Sequence, residues 1–190
     1  MSNIGFALSG SFCTFERAIE QMKLLVAAGH EVTPIMSYNA FELDTKFGKA
    51  SDFKESIEAV CGKRIIASIQ GAEPIGPQKM FDVMLVEPCS GNTLAKLACG
   101  IVDTPVLMAV KSHLRNERPV LLAVSTNDAL GNAAKNIGFL MNVKHIYFVP
   151  MGQDDVLKKP RSIVADFQLT EYAVHAALEG KQLQPILKSY

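Results

Sequence analysis

Residues 82–103, DVMLVEPCSGNTLAKLACGIVD, place a short apolar run directly before an amphipathic segment. The run from Val83 to Val86 predicts a buried strand that ends at Glu87-Pro88, and a small polar turn follows it. The next apolar residues repeat at the spacing of one helix face: Leu94, Leu97, Ala98 and Ile101. We predict that Ser90 caps this helix, because a serine hydroxyl accepts hydrogen bonds from free N–H groups at a helix start.

The alternation of strand and helix continues along the chain. Apolar runs predict further strands at 3–9, 31–37, 64–69, 119–124 and 145–149. Helical periodicity predicts helices at 14–28, 52–60 after a Ser51 cap, 104–114, from Asn127 or Asp128 through Met141, and 170–179. Glycines and prolines make 71–77 a loop, and 152–160 is also loop-like. The sequence predicts one α/β domain, residues 1–190, with three layers and a mostly parallel sheet.

Composition argues against several classes of function. Nineteen basic and 19 acidic residues give a formal net charge of +0, which favours no nucleic-acid partner, and the run KKPR at 158–161 is interpreted as solvated surface. No apolar stretch approaches the roughly 20 residues that cross a bilayer, and the first ten residues do not form a signal peptide. Four cysteines without CxxC spacing predict reduced thiols in a cytoplasmic protein.

Four of the predicted strands end in small hydroxyl or amide residues. These ends are Ser9-Gly10-Ser11, Ser37, residues 89–93 and Ser125-Thr126-Asn127. The carboxyl ends of parallel strands share one sheet edge, so the four turns are expected to converge on one ligand. The first turn suits a phosphate, although it matches neither the dinucleotide nor the NTPase glycine pattern. The alternative is that these residues are there because such residues are common in turns.

No proton-transfer residue or metal ligand follows from the sequence. The four histidines are scattered without metal-ligand spacing, so no metal is expected, and His30 and His145 are predicted to lie at the surface. Cys13 and Cys89 adjoin the polar turns. Either could be a nucleophile, but buried cysteine is more commonly a small packing residue.

Two of these segments carry a resemblance to a known family. SGSFCTFE at 9–16 and EPCSGNTLAKLACGIVD at 87–103 resemble the flavoprotein superfamily of flavin-containing cysteine decarboxylases and flavin prenyltransferases. The resemblance implies a Rossmann-like, flavodoxin-type fold and a homo-oligomer. It also implies that residues 88–93 form the PASANT-type turn that holds FMN. Two further stretches, 107–138 and 146–155, are similar to the branch of dipicolinate synthase B subunits from spore-forming bacteria.

Carried across by position, the resemblance implies a set of site residues. The implied FMN contacts are Ser9, Gly10, Ser11, Ser37, Ser90, Gly91, Asn92, Thr93 and Ser125. Asn92 and Asn127 would face the substrate, with Lys111 or Arg115 as further candidates. The chain departs from cysteine decarboxylases because residues 71–82 contain no histidine, and only Asn127 remains of the family's Pro-X-Met-Asn pattern.

The same resemblance implies an enzyme subunit that works with a separate A subunit carrying NAD(P). The pair would oxidise a dihydrodipicolinate precursor, a small dicarboxylate, to dipicolinate during sporulation, in the mother-cell cytoplasm. Two alternatives stay open at this stage. One is an FMN-dependent decarboxylase or prenyltransferase, and the other is a non-catalytic subunit whose flavin pocket is vestigial.

Overall fold

The computed structural model describes residues 1–188, and a seven-stranded sheet forms its centre. Strands β1, β2, β3, β4 and β5 pair in parallel, and β6 and β7 add an antiparallel edge. The order is β2-β1-β3-β4-β7-β6, and β5 pairs with the first half of β4. The strands are β1 Asn3–Leu8, β2 Glu31–Met36, β3 Val83–Cys89, β4 Val120–Thr126, β5 Ile146–Phe148, β6 Met151–Gly152 and β7 Ile163–Ala165.

Eight α-helices surround this sheet within residues 1–188, and they form two groups. Helix α1 packs against α3 and α8, while α6 packs against α4 and α5, and α5 against α7. Their bounds are α1 Phe15–Ala27, α2 Tyr38–Glu42, α3 Ala50–Cys61, α4 Ile69–Ala72, α5 Gly91–Ala98, α6 Pro105–Leu114, α7 Ala134–Met141 and α8 Thr170–Leu178. The predicted α/β architecture is confirmed. None of the helices in the described part of the chain is long and apolar enough to cross a membrane.

The central strand is longer than its apolar run. All seven residues of β3 are buried, so it continues through Glu87-Pro88 to Cys89 instead of ending there. Proline has no N–H to donate to a sheet, and the pairing of β3 with β4 shifts register between Val86 and Cys89. The shift lets proline occupy a central strand, beyond the end that the apolar run predicted.

The segment between β2 and β3 differs from its prediction. Residues 64–69 form only an isolated bridge, Ile35 with Ile66, instead of a strand. The predicted loop at 71–77 overlaps two single-turn helices, α4 and a 3-10 turn over Glu73–Ile75. Ser68 begins the first of these by accepting a hydrogen bond from the Gly71 N–H at 3.0 Å. Local capping therefore outweighs the helix-breaking composition here.

Several predicted helix ends also shift. Lys49, not Ser51, occupies the cap of α3, and α7 begins at Ala134. Asp128 instead starts a turn in which its carbonyl accepts from Gly131 and Ala133. Two residues that the sequence predicts to be helical lie outside the helices and are about half exposed: Ile101 and Leu130. The cap at Ser90 is confirmed, and α6 covers nearly all of the helix predicted at 104–114, with Thr104 as its cap.

A buried carboxyl joins the sheet to the last helix. Glu87 is completely buried and accepts a hydrogen bond from the Thr170 hydroxyl at 2.8 Å, where α8 begins. Its other carboxyl oxygen has no hydrogen-bond partner among the described residues. Burial raises the pKa of Glu87 from 4.5 to about 8, although the Thr170 hydrogen bond and the charge of Arg17 act in the opposite direction. The side chain is therefore largely protonated at neutral pH.

This pKa predicts how stability depends on pH. The unfolded chain ionises Glu87 more readily than the folded protein, so folding stability is lost as pH rises through the interval from 4.5 to about 8. Glu87→Gln removes this loss. The free energy of unfolding, measured by urea titration, should be higher in the variant than in the parent. This difference should grow by up to about 1.4 kcal/mol per pH unit as pH rises through that interval. The exposed-site control Glu16→Gln should follow the parent throughout.

Candidate functional site

Ser9 connects the ends of β1 and β3. Its hydroxyl donates to the Pro88 carbonyl at 2.8 Å and accepts from the Ser90 N–H at 2.9 Å, while its own N–H donates to Pro88 at 3.2 Å. The residue is only 1% exposed. Ser9 therefore fixes the turn that precedes α5, and its hydroxyl has no open side toward a ligand.

Ser11 connects the first turn to β4. Its hydroxyl donates to the Ser125 carbonyl at 2.6 Å, and the hydroxyls of Thr14 and Ser125 lie 3.1 Å apart. Thr14 also donates to the Ser11 carbonyl at 3.0 Å. These contacts bring the turns after β1, β3 and β4 together, as the parallel sheet predicted.

The start of α5 lies at the middle of this arrangement. The Ser90 hydroxyl accepts from the Thr93 N–H at 3.3 Å and lies 3.0 Å from the Thr93 hydroxyl. A Cβ atom on Gly91 would lie 2.7 Å from the Thr126 hydroxyl oxygen. Glycine at 91 therefore lets the helix start approach β4 closely.

Two cavities adjoin these turns, and Gly10 and Ser90 line both of them. The larger has a volume of about 700 Å³ and lies between the β1, β3 and β4 turns. The smaller, of about 290 Å³, lies between β2, α5 and the start of α6. Both open at the edge formed by the carboxyl ends of the parallel strands.

The structure divides the sequence-predicted site residues between the two cavities. The larger is lined by Gly10, Ser11, Ser90, Gly91, Ser125 and Asn127. The smaller is lined by Gly10, Ser37, Ser90, Asn92 and Thr93. Ser9 lines neither, since it is buried beneath them. Asn92 and Asn127, which were expected to face one substrate, therefore lie in different cavities.

The larger cavity is also lined by basic side chains that the sequence patterns did not predict to lie there. Arg17 and Lys46 line it, together with Lys159, which forms an ion pair with Asp154 at 3.2 Å. Arg17 lies one helical turn after Thr14, and that spacing was the only local signal for it. Lys159 is exposed, as predicted for the run at 158–161, and it lines the cavity from the surface. Lys111 and Arg115, the cations considered from the sequence, line neither cavity.

The cysteines near the turns differ in environment. Cys89 is completely buried, and burial raises the pKa of its thiol far above the ordinary value. That environment disfavours the reactive thiolate, in agreement with a packing role for this residue. Cys13 is exposed at the rim of the larger cavity.

The chain is similar in sequence to proteins of one known family. Residues 1–167 match the sequence profile named Flavoprotein. The chain belongs to the Flavoprotein family. It is also 46% identical over 184 residues to the B subunit of dipicolinate synthase from Bacillus subtilis, a match that spans 97% of this chain and 92% of that protein. The chain is thus a homologue of the dipicolinate synthase B subunit within the Flavoprotein family.

Solved structures of similar proteins have the same architecture. The crystal structure of the dipicolinate synthase B subunit from Bacillus halodurans superposes with a TM-score of 0.91 at 42% identity, covering 99% of this chain and 96% of that one. The FMN-dependent cysteine decarboxylase SpaF gives a TM-score of 0.67 at 22% identity, with 93% and 95% covered. At that identity the likeness to SpaF supports the shared fold alone.

The buried hydroxyl of Ser9 yields a stability prediction. Ser9→Ala leaves the Ser90 N–H and the Pro88 carbonyl each without one hydrogen bond. The free energy of unfolding should fall by about 1–3 kcal/mol, the usual cost of an unsatisfied buried polar group. Denaturant titration measures this loss. Ser51→Ala, at an exposed serine, should change it by less than about 0.5 kcal/mol, and equal losses in both variants would contradict the role of Ser9.

Proposed function

We propose that this chain is the B subunit of a dipicolinate synthase and that it holds FMN at the carboxyl edge of its sheet. The observation that carries the proposal is the 46% identity to the Bacillus subtilis B subunit over nearly the whole chain. The chain would act with a separate A subunit that binds NAD(P), during sporulation, in the mother-cell cytoplasm. A homo-oligomer of this chain is part of the same proposal.

The geometry of the two cavities fits FMN. A volume of about 700 Å³ lies within the range of cofactor pockets, roughly 300–1,000 Å³. The proposed contacts are Gly10, Ser11, Ser90, Gly91 and Ser125 in the larger cavity, with Ser37, Asn92 and Thr93 in the smaller. Gly91 supports these contacts because its missing Cβ lets the start of α5 lie directly against Thr126, and both residues line the larger cavity.

The substrate would be a small cyclic dicarboxylate, the dihydrodipicolinate precursor. Arg17 and Lys46 supply positive charge to the larger cavity, and Asn127 supplies an amide at its rim. Arg17 lies over the Phe167 ring, 4.9 Å from the ring centroid, which holds its guanidinium beside the cavity. These three residues would bind and orient the two carboxylates. FMN, when bound, supplies a hydride acceptor, as an oxidation that makes the ring aromatic requires.

An FMN-binding test uses a matched pair of glycine variants. The protein, purified alone and with its A subunit, should bind added FMN and show the visible absorption bands of oxidised flavin. Gly91→Ala places a Cβ against Thr126 and should weaken FMN binding on the order of tenfold, equivalent to about 1.4 kcal/mol. Gly138→Ala meets no atom within 4 Å and should bind FMN like the parent. Colourless protein that takes up no FMN in either preparation would contradict the proposal.

A kinetic test addresses the dicarboxylate. In the co-purified pair, Arg17→Gln should raise the KM for the dihydrodipicolinate precursor by about tenfold to a hundredfold, as expected for the loss of a hydrogen bond to a charged group. Arg64→Gln is the control, because this side chain is 94% exposed and lines neither cavity. If neither Arg17→Gln nor Gly91→Ala changes dipicolinate formation, this chain's pocket is not catalytic and the protein acts only as a partner. Decarboxylation of cysteinyl substrates by this chain would instead favour the decarboxylase alternative.

A further inference from the structure

Three potential metal ligands meet away from both cavities. His30 follows the glycine that ends α1, and Glu171 and His175 lie one turn apart on α8. One ligand atom from each residue lies within 4.8 Å of the other two. Because 141 positions separate His30 from Glu171 along the chain, their meeting is invisible in the sequence.

His30 is the fixed member of this group. It is buried, contrary to its predicted surface position, and its backbone N–H donates to the Leu25 carbonyl at 3.1 Å. Its ring lies 5.7 Å from the His175 ring, centroid to centroid. The Nδ1 atom of His30 is buried without a hydrogen-bond partner among residues 1–188. A buried ring nitrogen in that state is costly unless something binds it.

The other two members are exposed enough to adjust. The Nε2 atom of His175 lies 3.9 Å from a carboxylate oxygen of Glu171, and their side chains are 58% and 44% exposed. Ligands of one tetrahedral zinc ion lie about 3.4 Å apart, since Zn–N and Zn–O bonds are about 2.0–2.1 Å. Rotation of the two exposed side chains can shorten the distances between the ligand atoms to this value while the backbone stays in place.

We propose that His30, Glu171 and His175 bind one divalent transition-metal ion of the zinc type, with water completing its coordination. Two imidazoles and one carboxylate suit zinc and its neighbours in the first transition row better than magnesium or calcium, which prefer oxygen ligands alone. The carboxylate also compensates part of the ion's charge.

The site lies at the amino-terminal edge of the sheet, since His30 directly precedes β2. That edge is opposite the two cavities, so the metal has no contact with the proposed flavin or substrate. The ion would instead connect the turn between α1 and β2 to α8. The first residue of α8, Thr170, donates the hydrogen bond to Glu87. A structural ion of this kind stabilises the folded chain by binding it in preference to the unfolded one.

The test uses full-length protein without a histidine tag and Zn²⁺ or Co²⁺ alone as the probe. Calorimetric titration should give one Zn²⁺ per chain, and thermal unfolding should shift to higher temperature when Zn²⁺ is added. His175→Ala and Glu171→Gln change exposed side chains and should each weaken binding by about tenfold or more. The matched control His145→Asn removes a histidine at a left-handed position that asparagine tolerates, and it should bind Zn²⁺ like the parent.

The Co²⁺ spectrum separates this site from the exposed thiols of Cys13 and Cys99. Visible bands without an intense near-ultraviolet thiolate band are expected for nitrogen and oxygen ligands. Absence of Zn²⁺ binding by the parent protein would overturn the proposal. Parent-like affinity in His175→Ala, or a thiolate band that accounts for all bound Co²⁺, would also overturn it.

Discussion

The hydroxyl of Ser9 is the contact on which the geometry of the cavities depends. It carries one proton and two lone pairs, so it donates to Pro88 and accepts from Ser90 at the same time. One buried side chain thereby fixes the end of β3 and the beginning of α5 relative to β1. Ser11 extends the connection to β4. Strand ends joined by hydrogen bonds line both cavities, and loop residues such as Lys46 and Phe47 also line the larger one.

The parts of the fold that could be predicted are those with local signals. The apolar runs of β1, β3 and β4 belong to strands buried between helix layers, where continuous hydrophobicity is typical. The cap at Ser90 depends on a contact three residues away, which the sequence displays directly. Convergence of the turns followed from the parallel sheet alone. These features placed most residues of the candidate site on one edge.

The remaining features depend on contacts between distant segments. The two residues of β6 and the three of β7 have no pattern of their own: β7 is a strand because it pairs with β4, and β6 because it pairs with β7. Residues 64–69 are apolar enough for a strand, but just one bridge forms there because the chain turns into α4. Lys46 and Lys159 reach the larger cavity from loops. Both are exposed, and no local spacing distinguishes a surface lysine beside a cavity from any other surface lysine, so their place in the site required the tertiary structure.

Arg17 links the larger cavity to the buried carboxyl of Glu87. Its guanidinium lines the cavity, and its charge lowers the pKa of Glu87 against the stronger effect of burial. An anion bound beside Arg17 would neutralise part of that field, so it favours the protonated form of Glu87. By the same linkage, ionisation of Glu87 at higher pH weakens the positive potential that an anionic ligand meets. The carboxyl lies outside the cavity, yet its protonation and anion binding favour each other through a single cation.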